Sequence, residues 1–146
     1  MPEPQNLFNV LLVEDEPADV HLTKMAFKEG RLLVNVHSVG DGVEALAYLQ
    51  REGEYRDAPK PELILLDLNM PRMGGKAFLE HFKKLEKLSR IPVVVLTTSE
   101  AERDILESYD LGASGFIVKP VDVDQFIAAI NTLGDYWLAL VKQPRT

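Results

Sequence analysis

The chain has 146 residues, a net charge of −7, a hydrophobic fraction of 46% and no cysteine. These values are typical of one globular domain and exclude disulfides, thiolate zinc sites and cysteine nucleophiles. The acidic net charge disfavours binding to DNA or to anionic membranes. No apolar run approaches the ~20 residues of a membrane span, and the N-terminus lacks a secretory signal, so a cytoplasmic location is expected.

Short apolar strands alternate with amphipathic helices along the chain. Strands are predicted over residues 8–13, 33–39, 62–67, 92–97 and 115–118. Helices are predicted over residues 18–28, 43–51, 75–88, 100–111 and 122–142, with a surface loop over residues 52–61. Asp41 is expected to cap the second helix. The third and fourth strands show almost no alternation, which indicates burial on both faces.

This alternation predicts right-handed crossovers and a parallel α/β sheet, in which functional groups gather at the carboxyl ends of the strands. The side chains found there are the acids Glu14, Asp15 and Asp67, the hydroxyl of Thr97 and the amine of Lys119. Clustered carboxylates need a cation in order to coexist, and oxygen ligands without sulfur or imidazole favour Mg²⁺. A carboxylate beside a metal, an ammonium and a hydroxyl is suited to aspartyl phosphorylation.

Four motifs occur in order along the chain: residues 11–15 (LLVED), 65–71 (LLDLNMP), 95–98 (VLTT) and 112–120 (GASGFIVKP). Together they resemble the receiver domain of two-component response regulators, over residues 8–134. The resemblance implies a flavodoxin-like, CheY-like (βα)5 fold with strand order 2-1-3-4-5. It also implies one receiver domain over residues 1–146, with an extended C-terminal helix to about residue 142 and no output domain.

The resemblance further assigns the groups that handle the phosphoryl group. Asp67 matches the phosphoacceptor, Thr97 the hydroxyl that contacts the phosphoryl group, and Lys119 the phosphate-binding lysine. Thr97 and Phe116 match the two switch positions. Because Phe116 lacks a phenol hydroxyl, any switch at this position must act through burial of the ring.

The metal ligands implied by the resemblance come from the same motifs. Asp15 matches the direct Mg²⁺ ligand, together with Asp67 and the backbone carbonyl of Asn69. Glu14 stands where the family more often has Asp, and its extra methylene favours contact with the ion through water. Glu16 is interpreted as a carboxylate at the start of a helix rather than as a ligand.

Residues 51–61, 96–99 and 136–138 resemble a branch of small stand-alone regulators associated with bacterial phytochromes. The expected phosphoryl donor is therefore a sensor histidine kinase of the phytochrome type. The signal would leave by contact with a downstream relay or target protein. The protein would then be a phosphoacceptor that assists its own phosphorylation and dephosphorylation, and not a turnover enzyme.

Two other functions remain open at this point. The first is a metal-dependent phosphatase or mutase with an aspartyl-phosphate intermediate, although Asn69 replaces the acid that such enzymes usually carry two positions after the nucleophile. It would turn over small phosphate esters. The second is an interaction module that has lost phosphorylation, which would show no Mg²⁺-dependent labelling by acetyl phosphate.

The last predicted helix has an apolar arc wider than one buried stripe requires. Two interpretations remain open: its end is tucked into the domain, or Tyr136, Trp137 and Leu140 form a partner-binding or homodimer surface.

Overall fold

The structure, a computed structural model, describes residues 8–29, 34–67, 73–97 and 115–118, together with five positions of the last helix (124, 125, 128, 131 and 132). Only the backbone is described for Thr97 and for residues 115–118. Within these residues, no helix is both long enough and apolar enough to cross a membrane.

The described elements alternate as the sequence predicts. The strands are β1 (Phe8–Val13), β2 (Val34–Val39), β3 (Leu63–Asp67), β4 (Val93–Thr97) and β5 (Gly115–Val118). The helices are α1 (Pro17–Lys28), α2 (Gly42–Leu49) and α3 (Gly75–Phe82), with short 3-10 helices at Gly53–Tyr55 and Leu88–Arg90. The helix predicted over residues 100–111 lies outside the described residues, and the five described positions after residue 122 are helical.

The five strands form one parallel sheet in the order β2-β1-β3-β4-β5, which confirms the flavodoxin-like arrangement. In this register Val13 lies opposite Leu66, and Asp67 lies opposite Leu96. Glu14 follows Val13 and Asp67 follows Leu66 in the chain. Both acids therefore lie at the same edge of the sheet. This edge is the carboxyl end of the strands, where sequence reasoning expects the site.

The middle of the sheet is buried on both faces, as the missing alternation predicts. Leu63, Ile64, Leu65 and Leu66 are at most 1% exposed. Ile64 and Leu66 join a cluster with α2 and α3, whereas Leu63 and Leu65 join a cluster with α1. Apolar residues on both pleat faces are thus explained by helices on both sides of β3.

Two helices end earlier than predicted. After α3 the chain continues in 3-10 turns, in which hydrogen bonds join residues three apart: Lys84 N donates to His81 O (3.2 Å) and Leu85 N to Phe82 O (3.0 Å). In such turns residues three apart lie on one side, so half-buried Leu85 and Leu88 both pack against the core.

The second early end is that of α2, which stops at Leu49 in a Schellman motif. Glu52 N donates to Ala47 O (2.9 Å) and Arg51 N to Tyr48 O (3.1 Å). Arg51 has a φ of 55°, in the left-handed region where glycine is usual. The prediction extends the helix to residue 51 because no glycine or proline marks its end at Leu49.

Candidate functional site

Three carboxylates gather at the carboxyl edge of the sheet. Glu14, Asp15 and Asp67 each place an oxygen within 4.8 Å of the others. Glu14 is 3% exposed and Asp67 7%, whereas Asp15 is exposed. Two of the three acids are therefore shielded from solvent, and the third is open to it. The structure thus brings together the three acids that the sequence singled out.

The position of Glu14 is fixed by backbone contacts on both sides. Its N–H donates to Val39 O (2.9 Å), which extends the β1–β2 pairing by one residue. Its side-chain Oε2 accepts a hydrogen bond from Glu16 N (3.3 Å). Glu16 in turn caps α1, because its Oε2 accepts from Ala18 N (3.3 Å). The interpretation of Glu16 as a helix-start carboxylate is therefore confirmed.

The loop after β2, next to Glu14, is held by a capping pair. Asp41 Oδ1 accepts from Glu44 N (2.9 Å), as predicted for the cap of α2. Glu44 Oε1 accepts from Gly40 N (2.7 Å), and Glu44 Oε2 accepts from the hydroxyl of Tyr55 (3.1 Å). The role of Glu44 was missed in the sequence. The Asp-x-x-Glu spacing of residues 41–44 is a capping-box signal that could have revealed it.

Tyr55 connects this loop to the 3-10 helix Gly53–Tyr55. Burial, followed by the hydrogen bond to Glu44 and the negative charge of Glu44, raises the pKa of Tyr55 to about 12. The ordinary tyrosine pKa is 10.0, so ionisation favours the unfolded chain between these two values. The stabilisation that Tyr55 contributes is therefore complete below pH 10 and is lost as the pH rises towards 12.

We expect Tyr55→Phe to lower the free energy of unfolding at pH 8 by about 1 kcal/mol, because it removes one hydrogen bond to a carboxylate near the surface. Urea unfolding of both proteins at several pH values measures this difference. The difference should shrink as the pH rises from 10 to 12. A difference that stays constant over that range would contradict the role given to the hydroxyl.

The first residue of α2, Gly42, is in close contact with Met73. Gly42 N donates to Met73 O (3.0 Å). A Cβ at Gly42 would lie 2.7 Å from Cγ of Met73 and 3.0 Å from its Cβ. A larger residue at position 42 would therefore have to displace the side chain of Met73.

We expect Gly42→Ala to destabilise the fold by about 1 kcal/mol, because overpacking outweighs the gain in helix propensity. Chemical denaturation of Gly42→Ala, Met73→Ala and the double variant measures the effect. The double variant should lose less stability than the sum of the single variants. Strict additivity would show that the two side chains do not compete for space.

The other predicted site residues are only partly described. The backbone of Thr97 ends β4, opposite Val118, and Phe116 pairs with Val95 in β5. Asn69, Lys119, Tyr136, Trp137 and Leu140 lie outside the described residues.

The three acids suit a hard divalent cation. Their oxygens are close enough to share one ion, and like charges at this spacing repel unless a cation offsets them. A set of oxygen ligands with one solvent-exposed member is typical of Mg²⁺ or Mn²⁺ sites that keep several waters.

Comparisons with known proteins agree with the fold. The family model for the response regulator receiver domain matches residues 10–131. Response regulator Rcp1 of Synechocystis sp. is 38% identical over 135 residues, which are 92% of each chain.

Two solved structures superpose on nearly the whole chain. The phosphorylated cyanobacterial phytochrome response regulator RcpA is 41% identical with a TM-score of 0.87, over 95% of this chain and 99% of its own. The Mn²⁺-bound form of Rcp1 is 38% identical with a TM-score of 0.84, over 94% and 99%. The resemblance seen in the four motifs is confirmed, and the chain belongs to the response regulator receiver family of two-component phosphorelay signalling.

Proposed function

We propose that Asp67 is the residue that receives the phosphoryl group. The observation that carries the proposal is the meeting of Glu14, Asp15 and Asp67 at the carboxyl edge of a receiver sheet. Asp67 ends the central strand and keeps 7% of its surface exposed, which leaves room for attack at one side. An oxygen of its carboxylate forms the new bond to phosphorus as the P–N bond of a phosphohistidine breaks, and the imidazole leaves and takes up a proton.

The cation proposed for this site is Mg²⁺. Asp15 and Asp67 would hold it directly, Glu14 through a water molecule, and the backbone carbonyl of Asn69 would complete the protein ligands. When bound, the ion offsets the negative charge that develops on the transferring phosphoryl oxygens. The buried side chain of Glu14 supports a contact through water, because one of its carboxylate oxygens already accepts a hydrogen bond from Glu16 N.

The remaining roles rest on the family motifs and on the strand register. Thr97 and Lys119 are proposed to bind the phosphoryl oxygens, and Thr97 and Phe116 to report phosphorylation. Support comes from the backbone: Thr97 is one residue beyond Leu96, the partner of Asp67, and pairs with Val118. Phosphorylation would then shift a pre-existing equilibrium between two surface states.

A receiver domain implies a histidine kinase as donor and a downstream target, and we propose a donor of the phytochrome type. The similarity to the phytochrome response regulators Rcp1 and RcpA supports this choice. Phosphotransfer profiling against the purified sensor kinases of the source genome tests it. Fastest transfer from a phytochrome-type kinase is the expected result, and faster transfer from a kinase of another type would contradict it.

Two further proposals concern turnover and assembly. The protein would act as a phosphoacceptor and not as a phosphatase of small molecules, so phosphate esters should not be turned over. A homodimer through Tyr136, Trp137 and Leu140 is proposed from the sequence pattern alone. Sedimentation of the wild type and of a Trp137→Glu, Leu140→Glu variant tests it, because a monomer in both cases would exclude this dimer.

A further inference from the structure

A second concave surface lies at the end of the sheet opposite the acidic cluster. It is a cavity of about 520 Å³ between the end of α2, the segment that leads into β3 and the turns after α3. Its apolar lining includes Leu49, Pro61, Leu85 and Leu88. We call this surface the basal groove. It has the volume of a site for a few side chains.

The rim of the basal groove is positively charged. Arg51, Lys60 and Lys87 line it, against one acid, Glu86, and all four are exposed. This excess of positive charge contrasts with the net charge of −7 for the whole chain. An apolar floor inside a cationic rim is complementary to a ligand with an apolar centre and acidic flanks.

The walls of the groove are held in place by hydrogen bonds. The hydroxyl of Tyr48 donates to Pro59 O (3.2 Å), which ties the segment before β3 to α2. On the opposite wall Ser89 N donates to Leu85 O (2.7 Å) and Ile91 N to Leu88 O (3.0 Å). Because the walls are already ordered, a ligand would not have to order them on binding.

Arg51 is an unusual residue for its backbone conformation. It occupies the left-handed position of the Schellman motif, with a φ of 55°, where glycine avoids the steric cost of a Cβ. The chain thus carries a guanidinium on the groove rim at the expense of local stability. Such strain in a folded protein is often associated with a functional position.

We propose that the basal groove binds an acidic, hydrophobic peptide segment of a partner protein. Carboxylates of the peptide pair with Arg51, Lys60 and Lys87, and an aliphatic or aromatic side chain enters the apolar floor. Arg51 can bind a carboxylate through two hydrogen bonds. Because Asp67 lies at the other end of β3, this partner can stay bound during phosphotransfer, and its affinity does not depend on phosphorylation.

Fluorescence anisotropy with a short labelled peptide tests the proposal. The probe has Leu-Trp at its centre and two glutamates on each side. Peptides with lysine in place of glutamate, or with Gly-Ser in place of Leu-Trp, serve as controls. We expect binding of the first peptide only, weakened by NaCl and unchanged by acetyl phosphate with Mg²⁺. No binding of this peptide, or equal binding of the lysine peptide, would overturn the proposal.

Charge reversal locates the site on the protein. Lys60→Glu with Lys87→Glu should weaken binding by about fivefold or more. The matched control, Lys28→Glu with Lys84→Glu, changes two exposed lysines outside the groove by the same total charge and should bind as the wild type does. Equal weakening in both variants would show a nonspecific charge effect, and binding to phosphatidylserine vesicles instead of the peptide would show a lipid site. Either result contradicts the proposal.

The variant Arg51→Gly distinguishes the contribution of Arg51 to peptide binding from its effect on the stability of the fold. Glycine relieves the left-handed backbone, so Tm should rise by about 2 °C or more while peptide affinity falls severalfold. A variant that is more stable and binds equally well would remove Arg51 from the site and contradict the proposal.

Discussion

The Asp67→Asn variant should incorporate no phosphoryl group from acetyl phosphate, whereas the wild type gains the mass of one phosphoryl group in the presence of Mg²⁺. The reason is chemical: an amide has no ionised oxygen to attack phosphorus, and it forms no acyl phosphate. The substitution is nearly isosteric, so the strand should be preserved. Intact-protein mass spectrometry measures the incorporation directly.

The matched control is Asp57→Asn. Asp57 is exposed in the segment before β3, away from the acidic cluster. It should leave labelling at the wild-type level. Undiminished labelling of Asp67→Asn would move the phosphoacceptor to another residue, and loss of labelling in both variants would point to a general effect of charge.

The second large effect concerns the cation. Titration with MgCl2 should stabilise the wild type, because an ion that binds only the folded chain adds RT ln(1 + [L]/Kd) to the free energy of unfolding. At a free concentration of 100 times Kd this stabilisation is about 2.7 kcal/mol. Asp15→Asn removes a direct ligand and should weaken binding by about tenfold or more. At the same concentration the variant then gains at most about 1.4 kcal/mol.

Without divalent ions, we expect Asp15→Asn to be at least as stable as the wild type. Asp15→Asn removes one of three acids whose oxygens lie within 4.8 Å of one another, and so relieves their repulsion. We therefore expect the variant to unfold at an equal or higher temperature than the wild type in EDTA. Differential scanning calorimetry with and without MgCl2 measures both effects. A variant that keeps the full Mg²⁺ response would contradict the role of Asp15 as a ligand.

The parallel sheet and the position of the acidic cluster follow from simple patterns, whereas the strand order is implied by the resemblance to receiver domains. Leu63–Asp67 reads as a buried strand because its side chains are apolar on both pleat faces, and such strands need helices on both sides. Parallel strands end at one edge, and β1 and β3 are neighbours, so the acids at the ends of these two strands lie close together. Glu14, Asp15 and Asp67 therefore come together from strands more than 50 residues apart in sequence.

The ends of the helices were harder to predict. No glycine or proline marks the end of α3 at Phe82, and the apolar spacing of Leu85 and Leu88 is compatible with both a helix and 3-10 turns. At the end of α2 a left-handed arginine occupies the position where glycine would have been a signal. Local periodicity cannot distinguish these cases, because tertiary packing decides between them.

The basal groove shows a further limit of prediction from sequence. Its lining comes from three separate segments, residues 48–51, 59–61 and 85–88, none of which carries a motif. In the sequence, Lys87 lies within the helix predicted over residues 75–88. The fold brings Lys87 close to Arg51 and Lys60, which are distant in sequence. The positive charge of this surface therefore cannot be read from any one segment.

The most direct test of the account identifies the phosphorylated residue. The protein is incubated with acetyl phosphate and MgCl2, the acyl phosphate is reduced with borohydride, and the peptides are sequenced by tandem mass spectrometry. We expect conversion at residue 67 alone, and only when the divalent ion is present. Conversion at Glu14 or Asp15 instead, or conversion at residue 67 that is equally efficient in EDTA, would contradict it.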